Sequence, residues 1–227
     1  MKSRLVGRSL EQAVILPSGD TEGRPLLVLL HGRSSSPDSM ARSSVARAIG
    51  KLGERAPVVV LANGGDHSYY HDRSDGRWGS YIIREVIPAA VRKYRLDGKR
   101  IAIGGFSMGG FGALDLARFR RFCAVGGHSA AMWRTGGETP AGAFDDAEDF
   151  EQNDIIGAAQ ENPHLYGRAR IWLDVGTDDP FRNADTELAR LLPGARFRLW
   201  QGGHKISYFD GHADEILRFY ANALSRC

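Results

Sequence analysis

The chain has 227 residues, 42% of them hydrophobic and 25% charged, the balance of a soluble globular protein long enough to bury a sheet covered on both faces. Thirty Lys and Arg against 27 Asp and Glu leave a formal charge of +3, and the basic residues are scattered apart from RFRR at 118–121, so nucleic acid is not an expected partner. The longest apolar run, PLLVLL, is about a third of a membrane span, and no apolar h-region follows Lys2 and Arg4, so the default expectation is a cytoplasmic protein without a membrane partner.

Along the chain, apolar and β-branched runs alternate with helical patterns. Strands are expected at 12–17 (QAVILP) and 25–32 (PLLVLLHG), then a helix over 38–53 entered through Ser36, Pro37 and Asp38. A strand at 57–65 (PVVVLANGG) precedes a helix at 80–94, and a strand at 100–107 (RIAIGGFS) precedes a helix at 108–120. The RFRR cluster ends that helix, where cations meet the negative end of the macrodipole. A strand at 122–130 (FCAVGGHSA) follows. The stretch 131–168, rich in Gly, Pro and acidic residues with only a weak helix around 151–160, reads as a small insertion over one end of the sheet. Strands at 170–177 and 196–204 bracket a helix at 184–192, stopped by Pro193-Gly194, and a helix at 211–225 closes the chain. Near-continuous apolar strands alternating with helices indicate βαβ units around a mostly parallel sheet. The expected architecture is therefore a single α/β domain over 1–227. Cys123 lies in an apolar run and Cys227 at the end of the sequence; two cysteines make neither a disulfide framework nor a metal-ligand spacing, so Cys123 is expected to be a buried structural thiol.

In an open parallel sheet, ligands bind beyond the carboxyl ends of the strands. The polar residues that follow the apolar runs are His31-Gly32-Arg33, Asn63-Gly64-Gly65-Asp66, Ser107, His128-Ser129, Asp178-Asp179 and His204. Gly105-Phe106-Ser107-Met108-Gly109 is G-x-S-x-G between a strand and a helix, the context of a nucleophile elbow. A nucleotide-binding loop would need Lys and then Ser or Thr after its last glycine; Phe111 and Gly112 follow Gly110 instead. A serine needs a base, and the base an orienting carboxylate. His204 and an aspartate of GTDDPF supply both in the order Ser, Asp, His. Asp179 is the choice for the acid, with Asp178 as its alternative. His212 falls inside the last helix, and His128 and His31 are the other competitors for the base. The backbone N–H groups of Arg33 and Met108 would form the oxyanion hole. His31 would shape that loop and is grouped with Tyr69, Tyr70, Trp78 and Trp133 as substrate-binding residues, the aromatic members lining an acyl pocket. Arg33, Arg73, Arg77, Arg134 and Arg182, on loops near the expected mouth, could instead meet an anionic group. Asp66, His67, His71 and Asp72 would suit a metal only on a helix, and Gly64-Gly65 with Tyr69-Tyr70 argue for a loop; neither metal nor cofactor is expected.

From about residue 10 to 225 the chain resembles the esterase family of α/β hydrolases that contains esterase D, S-formylglutathione hydrolases, feruloyl esterases and the mycolyltransferases. The resemblance rests on VLLHG at 28–32, NGGDHSYYHD followed by Trp78, GGFSMGGFGAL, GTDDPF and GGHKISYF. It implies an α/β-hydrolase fold, Ser107 as nucleophile, Asp179 and His204 completing a triad, and oxyanion N–H groups from Arg33 and Met108. The expected activity is hydrolysis of a small-molecule carboxylic ester through an acyl-enzyme, rising with pH because His204 must start neutral. Acyl transfer with the same triad, or a catalytically silent hydrolase fold used for binding, are the alternatives.

Overall fold

A computed structural model describes residues 1–227, apart from the side chain of Ser43. All seven expected strands form one sheet: β1 (Ala13–Ile15), β2 (Leu26–Leu30), β3 (Val58–Ala62), β6 (Ile101–Ser107), β7 (Ala124–Ala130), β8 (Arg170–Gly176) and β9 (Arg196–Trp200); β4 (Asp72–Arg73) and β5 (Gly76–Arg77) make a separate two-stranded hairpin. The order is β1-β3-β2-β6-β7-β8-β9, with β1 antiparallel to β3 and every other pair parallel.

Strand residues alternate between two cores. Leu26, Val28, Leu30, Val58, Val60, Ile101 and Ile103 belong to one, and Leu27, Leu29, Val59, Leu61 and Ala102 to the other. This doubled burial is why the strands read as continuous apolar runs. The second core is covered by α1 (Pro37–Met40), running through a π-helical turn into α2 (Ala46–Gly50), and by the last helix, α9 (Ile206–Leu224). The first is covered by α3 (Trp78–Tyr81) with α4 (Ile87–Tyr94) beyond a second π-turn, by α5 (Met108–Phe119), by α6 (Ala147–Gln152) and α7 (Ile155–Glu161), and by α8 (Arg182–Leu191). Ser36 caps α1 through a reciprocal pair with Ser39, as expected of its position before Pro37.

The stretch 131–168 carries α6 and α7, and its Phe144 packs on Tyr69, Trp133, His71 and Phe150. Helix α5 ends just before Arg120 and Arg121. The expectation for the cysteines is overturned: Cys123 is bonded to Cys227, joining residues 104 apart. The long separation and the lack of any motif around either cysteine hid the pairing, which the sheet creates by bringing the start of β7 beside the end of α9.

Candidate active site

The junction of β6 and α5 is built by close approach. A Cβ added at Gly105 would come 2.4 Å from the Gly109 backbone, and one at Gly109 would come 2.0 Å from the Leu30 carbonyl oxygen. Only glycines let strand and helix meet so tightly. Between them Ser107 is held at φ 55° and ψ −118°, a conformation that costs a non-glycine residue of order 1–3 kcal/mol. The strained turn lifts its hydroxyl off the sheet. In the same region the β6–β7 register slips, so that Phe106 pairs with His128 but Ser107 with Ala130, leaving Ser129 unpaired at φ 44°.

Ser107 Oγ lies 2.7 Å from His204 Nε2, and His204 Nδ1 lies 2.9 Å from Asp179 Oδ2. The network assigns the tautomer: Nδ1–H donates to the carboxylate and Nε2 accepts from the serine. The other oxygen of Asp179 accepts the Phe181 N–H at 2.9 Å. The Asp179 side chain is fully buried while the His204 ring is 24% exposed, so the carboxylate is shielded and the imidazole reaches a cleft. Phe106 stacks on the ring and Phe181 meets it edge-on, with centroids 5.2 and 5.0 Å away. Asp178 is exposed, and its carboxylate accepts from the Thr177 hydroxyl at 3.3 Å. Its backbone N–H donates to Gly202 O at 2.8 Å, which ties together the loops that carry Asp179 and His204.

Two further features border the serine. Gly32 packs against it, since a Cβ there would come 3.4 Å from Ser107 Cβ, and Arg33 follows directly. Met108 is the first residue of α5, so its N–H has no carbonyl one turn back within the helix. The cleft over Ser107 and His204 has a volume of about 970 Å³. Its lining includes Tyr69, Trp133, Phe181, Pro140 and Pro180 together with Arg33, Arg42, Ser34, Ser35 and Ser39.

Of the five residues expected to bind substrate, Tyr69 and Trp133 line this cleft and three do not. His31 is buried, with Nδ1–H donating to Gly32 O at 2.9 Å and Nε2 accepting from the Gly64 N–H at 3.2 Å. Burial holds its pKa below the ordinary histidine value, so it is a neutral latch between the loops after β2 and β3. Tyr70 is wholly buried, its hydroxyl accepting from the His31 N–H at 3.0 Å. Trp78 is buried behind Gly65, and its indole N–H donates to Asp75 at 3.1 Å. Aromatic character alone did not separate wall from core. Arg73, Arg77 and Arg134 are engaged by Asp145, Asp72 and Glu187, and Arg182 donates to Thr177 O. Arg33 remains in the cleft, joined by Arg42, which sequence reading missed because it lies inside a helix and was not among the residues following a strand. The residues of the GGDHSYYHD loop have separate partners: His71 pairs with Asp149 at 3.0 Å, Asp72 accepts from Ser80, and His67 is exposed beside Asp66.

A mostly parallel sheet, antiparallel only at β1 and with helices on both faces, defines the class: an α/β-hydrolase fold. The chain belongs to the family described as Putative esterase, which matches residues 3–217. It is 28% identical to Esterase MT1326 of Mycobacterium tuberculosis strain CDC 1551 / Oshkosh over 74% of this chain. That match takes in 43% of the relative, so the chain spans less than half the length of the curated relatives it matches. Among solved structures, a ferulic acid esterase superposes with a TM-score of 0.86 at 23% identity, covering 98% of this chain and 95% of that one. An S-formylglutathione hydrolase from Agrobacterium tumefaciens superposes with a TM-score of 0.82 at 18% identity, covering 99% and 93%. Among the described residues no helix is long and apolar enough to cross a membrane.

Proposed function

We propose that this chain hydrolyses a carboxylic ester through an acyl-enzyme formed on Ser107. The observation that carries the reading is the unbroken line from Ser107 Oγ through the His204 ring to the buried Asp179 carboxylate, with the serine on a strained turn at the floor of a cleft. As Oγ attacks the ester carbonyl, its proton passes to Nε2, and Asp179 stabilises the imidazolium and holds the ring. The carbonyl oxygen takes up the negative charge against the N–H groups of Arg33 and Met108, the latter at the positive end of α5. Nε2 returns the proton to the departing alcohol. Water then enters, gives a proton to His204 and releases the acid as Oγ recovers its hydrogen. The aromatic lining of Tyr69, Trp133 and Phe181 suits an apolar or aromatic group of the substrate lying flat against it.

The Cys123–Cys227 bond favours an oxidising compartment over the cytoplasm. Hydrolysis of p-nitrophenyl esters from acetyl to lauroyl, by wild type and Ser107→Ala side by side, tests the reading. Wild type should turn over at least one chain length, and Ser107→Ala should lose roughly 10³-fold or more in kcat at an unchanged melting temperature. Equal rates for the two proteins would sink it.

A further inference from the structure

The sheet has a second recess at its opposite end. Ser107 is the last residue of β6, at its carboxyl end, whereas Cys123 and Arg170 stand where β7 and β8 begin, and around them opens a crevice of about 730 Å³. With about 3.3 Å of rise per residue, a seven-residue strand sets the two recesses roughly 20 Å apart. The crevice is lined by Arg118, Arg120, Arg121, Arg168, Arg170 and Arg226, and by no acidic side chain.

Two of the six arginines are committed. Arg118 pairs with the buried Asp115 at 2.9 Å and donates to Gln152 O, and Arg120, half-buried over the Phe122 ring, donates to Ile83 O. Among the described residues Arg121, Arg168, Arg170 and Arg226 make no side-chain hydrogen bond or ion pair with protein. The negative ends of α5 and α9 account for Arg118 and Arg226 near those termini. They do not account for Arg168 and Arg170, which come from a loop and the first residue of β8. Gathering these cations around one concave space opposes folding through mutual repulsion, and an anion in that space relieves it.

We propose that this crevice is a binding site for a small soluble polyanion carrying two or more phosphate groups, separate from the esterase cleft. Guanidinium groups present paired N–H donors that match phosphoryl oxygens, and four uncommitted ones suit several phosphates better than a single one. A concave recess also suits a compact ligand better than the plane of a membrane. The disulfide contributes, because Cys227 bonded to Cys123 anchors the residue beside Arg226 at the rim.

Calorimetric titration of the full chain with sodium tripolyphosphate at low salt tests the site, with orthophosphate for comparison. Tripolyphosphate should bind, more tightly than orthophosphate, and more weakly as salt is added. The variant Arg121→Ala/Arg168→Ala/Arg170→Ala should bind it roughly 30-fold more weakly, and a matched triple variant at Arg47, Arg92 and Arg190, outside the crevice, should bind as wild type does. All three arginines of the first variant are exposed, and unchanged p-nitrophenyl ester turnover would verify its fold. Absence of tripolyphosphate binding, or equal loss in the two triple variants, would overturn the proposal. So would binding to phosphatidylserine vesicles without binding to tripolyphosphate, which would make the patch a membrane contact.

Discussion

Among the described residues stand two carboxylate–imidazole–hydroxyl lines. At the rim, Asp179 holds His204 Nδ1 at 2.9 Å and Nε2 faces Ser107 Oγ at 2.7 Å. In the interior, Asp174 holds His128 Nδ1 at 2.5 Å and Nε2 faces the Tyr220 hydroxyl at 2.8 Å. The bonding is alike, but the settings differ. His128 and Asp174 are wholly buried, facing each other across β7 and β8, and Asp174 also accepts from Trp172 and Tyr208. The Tyr220 hydroxyl fills the space that side chains at Gly104 and Gly126 would occupy. A carboxylate–imidazole pair aimed at a hydroxyl is therefore not by itself an active site. The rim line adds a strained turn that presents the hydroxyl, the first residue of α5 directly after it and an open cleft over it. The interior line instead fastens α9 to the sheet. Tyr208, bonded to Asp174, packs against Gly202 two residues before His204, so the second line supports the loop on which the first depends.

Removing each carboxylate should pull the two lines apart. Asp179→Asn should lower kcat on a p-nitrophenyl ester about 10⁴-fold, because the amide reverses the donor facing Nδ1 and favours the wrong tautomer. The melting temperature should move little by comparison. Loss of activity in Asp178→Asn instead would assign the acid to the exposed neighbour. Asp174→Asn should do the opposite. It leaves the buried donors of His128, Trp172 and Tyr208 facing an amide and should cost about 3–5 kcal/mol of stability in urea denaturation. Turnover per folded molecule should stay within about threefold, the level at which outer contacts shift a rate by less than 1 kcal/mol. A loss as deep as that of Asp179→Asn would mean that the interior line takes part in the chemistry.

Sheet, helices and elbow were legible because each is written locally: doubly buried strands as unbroken apolar runs, the elbow as glycines at fixed spacing around Ser107. What the sequence concealed depends on contacts between distant segments. His128 and His204 both follow strand-like runs, and only the packing of α9 makes one a brace and leaves the other open to the cleft. Tyr69 and Tyr70 are adjacent and both have positive φ, 49° and 60°, yet one lines the cleft and the other is sealed beneath it. The Cys123–Cys227 bond and the convergence of Arg121, Arg168, Arg170 and Arg226 likewise exist only once β7, β8 and α9 are assembled.

The smallest of these effects concerns Asp185, in the first turn of α8, whose two carboxylate oxygens are buried without a hydrogen-bond partner among the described residues. Burial first, and then the charges of Asp179 and Asp174, push its pKa well above the ordinary carboxylate range. At neutral pH the unfolded chain readily gives up this proton while the folded chain resists. For an acid raised on folding, stability falls as pH climbs from the ordinary carboxylate range toward the folded-state value. Asp185→Asn imitates the protonated acid without the penalty. Urea denaturation should find this variant more stable than wild type at pH 7.5, with the gap closing as the pH is lowered to about 4, the unperturbed carboxylate range. If the gap is independent of pH, or wild type is the more stable at pH 7.5, then Asp185 is ionised in the fold and the rim and interior carboxylates do not act on it together.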